Sequence, residues 1–255
     1  MTHLEDAIVA STTRAVSLVA PSGAPVDLEV PDAFGEFRWF GTTRFSGPHL
    51  SRQFFLAPLG QHRAIPTHVL PGATERVQPM RGYDAVVYEA RDRSESALVL
   101  AGPHHEATTW FGGPAPDLMG VSTMLTSFRY EDGPRGAALT AASPLLVSQP
   151  DVALIGHSEA ATLIVRRSVD VLPSLPEWSG LALPGGELWR AGRLLDDRAA
   201  ALAPDSPHRW RFILAGDSLA MDLVLLGPES GRAATSMSED QVVDALGTLT
   251  GRWTA

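Results

Sequence analysis

The chain has 255 residues, of which 44% are hydrophobic and 19% charged, and its formal net charge is −9 at pH 7. Such a chain repels phosphate, so nucleic acid and anionic membranes are not expected as partners. The absence of cysteine and lysine rules out disulfides, thiolate metal sites, cysteine nucleophiles and Schiff-base or P-loop lysines. Residues 1–6 lack the basic and apolar parts of a signal peptide, and no apolar run approaches the roughly 18 residues of a membrane span, so we expect a cytoplasmic protein.

Similar blocks recur in the same order along the chain, which indicates an internal duplication. Each series has an apolar entry strand, a Gly-Glu-aromatic block, two apolar runs joined by turn residues, and an amphipathic segment that ends in arginine and an aromatic residue. The block pairs are residues 15–19 and 161–165, 35–39 and 186–190, 83–103 and 210–228, and 117–130 and 238–253. The paired apolar runs predict hairpins. Apolar spacing of three and four after an acidic residue predicts helices. The alternative is that short apolar strands simply look alike.

These elements predict an α+β protein with two related lobes, each a small antiparallel sheet with one covering helix. The first lobe spans residues 1–143 and the second spans residues 144–255, with a seam where proline and polar residues interrupt the pattern. The first lobe has an additional segment at residues 45–80 that contains five prolines. We interpret this segment as a loop-rich insertion and, because loops often carry function, as a candidate contact surface.

The hairpin, the helix and the pair Ser127-Phe128, within residues 82–130, together resemble the end of Mog1/PsbP-like domains. The resemblance extends to the corresponding part of the second lobe. It implies an α+β fold and a module that binds other proteins rather than an enzyme.

Two serine motifs raise the alternative of a serine hydrolase. Residues 156–160, Gly-His-Ser-Glu-Ala, are similar to the nucleophile elbow of the α/β-hydrolases, in which small residues flank a strained turn. A triad would use Ser158, His208 and an aspartate such as Asp197. No His-Gly-Gly oxyanion segment and no alternating strand–helix series accompany it. Residues 216–219 spell the Gly-Asp-Ser-Leu block of another esterase family, but no histidine follows them, and their composition predicts a hairpin turn. We therefore expect no catalytic residues.

His104, His105 and Glu106 form a cluster that we interpret as a solvated loop. Neighbouring residues on a strand point to opposite faces, so the two histidines could share a metal ion only with help from His62 or His68. No glycine-rich phosphate motif is present. We predict neither a metal nor a cofactor.

Trp110, Phe111 and Trp178 lie beside glycine and proline, outside the recurring blocks. Exposed aromatic side chains on loops are frequent binding anchors, so these three are the candidate partner contacts, with packing beneath a loop as the alternative. We predict a non-catalytic protein-binding, chaperone-like or assembly component whose partner is another protein, and oligomerisation remains open. The competing functions are the serine hydrolase and a carrier that holds a small ligand between the lobes.

Overall fold

The computed structural model describes residues 12–47, 50–145, 147–193, 202–203, 206–227 and 237–254. The protein is mostly β, with 50% strand and 18% helix. The strands are β1 (Thr13–Val19), β2 (Pro25–Pro31), β3 (Arg38–Ser46), β4 (Arg52–Pro58), β5 (Thr74–Pro79), β6 (Asp84–Glu89), β7 (Ser96–Ala101), β8 (His105–Phe111), β9 (Phe128–Gly133), β10 (Gly136–Ala141), β11 (Ser148–His157), β12 (Ala161–Arg167), β13 (Leu181–Leu183), β14 (Gly186–Gly192), β15 (Trp210–Ala215), β16 (Leu219–Leu225) and β17 (Thr250–Trp253). The α-helices are α1 (Leu118–Leu125), α2 (Ser168–Val171) and α3 (Glu239–Thr248). Among the described residues, every helix is too short or too polar to cross a membrane.

Twelve strands form one antiparallel sheet in the order β13-β14-β15-β16-β12-β11-β3-β4-β8-β7-β6-β5. Its middle is the pairing of β3 with β11. The strand set β3–β8 lies on one side of this pairing, and the strand set β11–β16 lies on the other. Counted outward from the pairing, the two sets have the same order: β3, β4, β8, β7, β6, β5 and β11, β12, β16, β15, β14, β13. The predicted fold of two α+β lobes is therefore wrong, because both strand sets belong to one sheet. The β3–β11 pairing joins distant parts of the chain, which local patterns do not reveal.

Both large hydrophobic cores lie on the same face of this sheet. Leu154, Gly41 and Leu56 are directly opposite one another across β11, β3 and β4, and Leu154 and Leu56 belong to the two different cores. The core of the second strand set is covered by α3 and by a three-stranded sheet of β1, β2 and β17. The core of the first strand set is covered by α1 and by the β9–β10 hairpin.

The hairpin at the start of the described chain covers the part of the sheet formed by the end of the chain. β2 alternates exposed and buried residues, and its Val26, Leu28 and Val30 enter the core of the second strand set. β2 also pairs with β17 along its edge. The two halves of the chain are therefore interlocked.

The opposite face of the sheet is covered by the connections between strands. In the first strand set, the link from β4 to β5 forms a 3-10 turn (Gln61–Ala64) and a π-helical turn (Ile65–Val69), which places Ile65 over Tyr88 and Val99. In the second strand set, the link from β12 to β13 contains α2. Each link follows the second strand of its set.

The local predictions of hairpins and helices are confirmed. β6 pairs with β7, and β15 pairs with β16, as the apolar runs indicated. α1 begins after Asp117, whose carboxylate accepts a hydrogen bond from the backbone N–H of Gly120 at 2.7 Å. α3 begins after Ser238, which forms a reciprocal capping box with Gln241. Both caps satisfy backbone donors that a helix start leaves unpaired.

The first three block pairs do not occupy matching places in the sheets. Residues 15–19 lie in β1 of a small sheet, whereas residues 161–165 lie in β12 of the large one. Residues 35–39 lead into central β3, whereas residues 186–190 lie in β14, next to the edge. The hairpin β15–β16 corresponds in strand order to β7–β8 rather than to β6–β7. Because short apolar strands have similar sequences, the sequence comparison aligned β15–β16 with β6–β7, one strand away from the pair in the corresponding place.

Two segments expected to be loops contain strands. Residues 45–80 hold the last two residues of β3 and all of β4 and β5, and both β4 and β5 end in a proline. His105 and Glu106 begin β8 and are not in a solvated loop. The proposed division between residues 143 and 144 falls between β10 and β11 and stays a prediction.

Candidate functional site

Ser158 lies in the turn between two antiparallel strands, β11 and β12, and is 6% exposed. Its Oγ accepts hydrogen bonds from the backbone N–H groups of Ala160 at 3.1 Å and Ala161 at 2.9 Å. A nucleophile elbow requires a helix after the serine, and here a strand follows. The observed bonds stabilise a hairpin turn. A fluorophosphonate probe tests the hydrolase alternative, which predicts labelling that disappears in Ser158→Ala.

His208 lies in a 3-10 turn just before β15 and is 2% exposed. Within the described chain, neither of its ring nitrogens has a hydrogen-bond partner. The backbone carbonyls of His208 and Leu225 both accept from Arg193, and Leu226 donates to Ala160, so His208 and the Ser158 turn lie at the same end of the sheet. Asp197 lies outside the described residues. In the second serine motif, residues 216–218 form the turn between β15 and β16, as expected, and Leu219 begins β16.

The three candidate aromatic contacts are not on one surface. Trp110 is 36% exposed, whereas Phe111 is 9% exposed and packs under the Arg52 guanidinium at 4.2 Å from the ring centroid. Trp178 is 65% exposed and precedes β13. β13 and β8 are eight strand spacings apart in the sheet order, or roughly 40 Å. Phe111 belongs to the core, and the two tryptophans cannot contact one partner site together.

Two carboxylate–histidine pairs hold the start of β8. Glu106 is 1% exposed, and its carboxylate accepts from the backbone N–H groups of Gly60 at 2.7 Å and His62 at 2.5 Å and pairs with His62 Nδ1 at 2.6 Å. On the other face, His105 Nδ1 lies 2.8 Å from Asp132. Among the described residues, no group of three or more His, Asp or Glu side chains could hold a metal ion.

β5 forms one edge of the large sheet and is exposed at all six of its positions. Within the described chain, it pairs only with β6, so its other side presents backbone N–H and C=O groups. The opposite edge strand, β13, has only three residues. β5 is therefore the longer free edge.

A polar groove of about 450 Å³ runs along one face of β5. Its charged lining residues are Glu75, Asp84 and Arg63, and His62 closes it above the buried Glu106. Tyr88 lies at its floor, where burial first, and then the charges of Glu75 and Glu106, raise the pKa of the phenol to about 12. Carboxylates outnumber arginines here, so this groove favours a basic or hydrogen-bond-donating side chain.

An apolar groove of about 360 Å³ lies on the other face of β5. Ala85 and Val87 of β6 form its floor, and Leu118 and Val121 of α1 form its wall. Leu118 is the first residue of α1 and is 63% exposed. Successive side chains of a strand point to opposite faces, so a strand added beside β5 would direct alternate residues into the two grooves.

Sequence reasoning identified the segment that contains β5 but not the edge itself. β5 reads Thr-Glu-Arg-Val-Gln-Pro, and its single apolar residue, Val77, is 52% exposed. With both faces open, the strand lacks the apolar alternation that marks a half-buried strand. Leu118 has the apolar spacing of a core position in the predicted helix, but it is exposed. Two adjacent apolar residues, Leu118 and Met119, begin α1, and both are exposed. This apolar pair at the helix start was the sequence signal that could have indicated the groove.

No family model, curated protein or solved structure matches this chain. The resemblance to Mog1/PsbP-like domains therefore stays a prediction.

Proposed function

We propose that this protein is a non-catalytic, protein-binding component of an assembly, located in the cytoplasm, and that it holds an extended segment of its partner against β5. The observation that carries the proposal is a six-residue edge strand, exposed throughout, with a groove along each face. In such recognition, backbone hydrogen bonds supply affinity, and pockets for alternate side chains supply specificity.

The two grooves define the partner segment. Leu118, Val121 and Val87 require apolar residues at every second position of the segment. Glu75 and Asp84 favour lysine or arginine at the alternate positions of the partner segment, which face the polar groove. The net charge of −9 also favours a basic segment, because opposite charge speeds the encounter and selects against acidic competitors.

Features of β5 itself favour a different protein over a second copy of this chain. Glu75 and Arg76 are exposed charges, and Pro79 ends the strand. Charged residues and proline are the means by which natural edge strands limit pairing with one another. A partner strand with complementary charges avoids this repulsion.

Selection of a displayed library of short peptides against the intact protein tests the proposal. We expect the enriched peptides to alternate apolar and basic residues. Peptides without alternation, or a concentration-dependent dimer of the protein itself in light scattering, would contradict it.

Two neighbouring positions of α1 make a matched pair of variants. Leu118→Asp removes the wall of the apolar groove, and we expect it to weaken peptide binding by at least about tenfold. Met119→Asp is the control, because Met119 is 73% exposed and does not line the groove. An acidic residue is favourable in the first turn of a helix, so both variants should fold. Equal binding by the two variants would exclude the β5 edge as the site.

A further inference from the structure

A third cavity lies over the middle of the large sheet and shares no lining residue with the two grooves beside β5. It has a volume of about 280 Å³ and opens between β1, the β9–β10 turn and the central strands of the large sheet. We call it the central pocket. It is the point at which both small sheets meet the β3–β11 pair.

The walls of the central pocket are held by backbone contacts between the two small sheets. Val19 N–H donates to the carbonyl of Arg135 at 3.0 Å, and Leu139 N–H donates to the carbonyl of Pro21 at 2.8 Å. Gly136 has φ +146°, and a Cβ there would lie 2.5 Å from the carbonyl oxygen of Val19. Glycine thus allows the close approach of the two small sheets that forms this wall.

Most of the central pocket is apolar. Leu18, Trp39, Leu56 and Leu154 line it, together with prolines from the surrounding turns. Small-molecule sites are typically concave, mostly apolar and equipped with a few polar groups that orient the ligand. An aliphatic or aromatic body of modest size fits this lining.

Among the residues that the structure describes, the ionisable groups lining the central pocket are His105 and Arg135, and none is a carboxylate. This local composition contrasts with the net charge of −9 of the whole chain. Asp132 lies behind His105: one carboxylate oxygen is 2.8 Å from Nδ1, and the other accepts from the backbone N–H groups of His104 and His105. Arg135 is both exposed and part of the pocket lining.

We infer that the central pocket binds a small monocarboxylate with an apolar body. The apolar body occupies the space between Trp39, Leu56 and Leu154, and the carboxylate lies against the Arg135 guanidinium at the rim. Arginine suits this role because its planar donors match the two oxygens of a carboxylate.

Isothermal titration calorimetry of the full chain with sodium octanoate tests the inference, with octylammonium and 1-octanol as ligands of the same length and different charge. We expect saturable binding of one octanoate per chain and weaker binding of octylammonium. Absence of saturable octanoate binding, or equal binding of octylammonium, would overturn the inference.

Arg135→Gln and Arg129→Gln form a matched pair, because both residues are exposed arginines of the β9–β10 hairpin and only Arg135 lines the pocket. We expect Arg135→Gln to weaken octanoate binding by about tenfold, without a comparable effect on 1-octanol. Arg129→Gln should bind octanoate like the unaltered chain. An unchanged affinity in Arg135→Gln would overturn the inference.

Leu18→Trp fills the pocket and should abolish binding of octanoate and of 1-octanol, while circular dichroism shows an unchanged fold. Octanoate binding that persists in folded Leu18→Trp would show a different site and overturn the inference. If Leu18→Trp does not fold, the comparison of Arg135→Gln with Arg129→Gln still tests whether octanoate binds in the central pocket.

Discussion

Glu106 is a charged residue in a nearly inaccessible place, and its stability there depends on the three donors that surround its carboxylate. The donors come from residues 60–62, so this one side chain fastens the link between β4 and β5 to the start of β8. A buried carboxylate with a full set of hydrogen bonds is tolerated, whereas buried donors left without an acceptor are costly.

Glu106→Gln should lower the free energy of unfolding by about 2 to 3 kcal/mol, because the amide nitrogen cannot accept the bonds that a carboxylate oxygen accepted. Urea unfolding measures the change. Glu131→Gln, at an exposed position of β9, is the control and should change stability by less than about 0.5 kcal/mol. Equal effects of the two substitutions would show that the Glu106 contacts contribute little.

Tyr88 links stability to alkaline pH. Its pKa in the folded protein is raised from 10.0 to about 12, chiefly by burial. The unfolded chain therefore releases this proton before the folded chain does, so stability is full below pH 10 and falls as the pH rises through about 12. Complete ionisation of Tyr88 would remove about 2 to 3 kcal/mol.

Tyr88→Phe should remove this part of the alkaline loss, and it should have a much smaller effect on the pH dependence below pH 9. Urea unfolding at a series of pH values up to 12 gives the comparison. Tyr83 and Tyr130 also have raised pKa values, so some alkaline loss should remain in the variant. A pH profile identical to that of the unaltered chain would contradict this account.

At the scale of elements, α3 shows how a local signal and a tertiary contact act together. Its capping box connects Ser238 and Gln241, and its buried Val242, Ala245 and Leu246 pack against the core of the second strand set. An isolated helix of this length would be marginal in water, so the packing supplies most of its stability and the cap sets where it begins.

Ser238→Ala should destabilise the protein by about 1 kcal/mol, since it leaves a backbone donor at the helix start without its acceptor. Ser179→Ala, at an exposed position outside any helix or strand, is the control and should be close to neutral. The midpoints of chemical unfolding give both values. A neutral Ser238→Ala would mean that water replaces the cap without cost.

Local elements were predictable from sequence because their signals are local. The helix starts at Asp117 and Ser238 and the hairpins β6–β7 and β15–β16 each depend on residues close together in the chain. The start of β8 was not predicted as a strand, because its first two residues, His105 and Glu106, are polar. Their side chains bind Asp132 and residues 60–62, which are distant in sequence, so no local pattern indicates these contacts.

At the scale of the whole molecule, strand order was not predictable. β3 pairs with β11, and β2 pairs with β17 near the other end of the chain. Apolar strands do not specify which distant strand becomes their neighbour. The candidate site depends on that order, since β5 is an edge only because the sheet ends there. Of the aromatic contacts predicted from sequence, Trp178 and Trp110 are exposed and Phe111 is not.

The interlocking of the two halves predicts that neither residues 1–143 nor residues 144–255 will fold alone. Without the second half, Val26, Leu28 and Val30 of β2 lose the strands on which they pack, and β3 becomes an open edge. We expect each piece to lack a cooperative transition in urea, whereas the full chain has one. A sharp transition in either piece would show independent domains.

Hydrogen–deuterium exchange of the intact protein, with and without an enriched peptide, tests the proposed role of β5 most directly. We expect slower exchange of the backbone amides of residues 74–79 on binding, because an added strand would occupy the free edge, and no change in β13 at residues 181–183. Protection at β13 or around Trp178, or no protection at β5, would contradict the proposal.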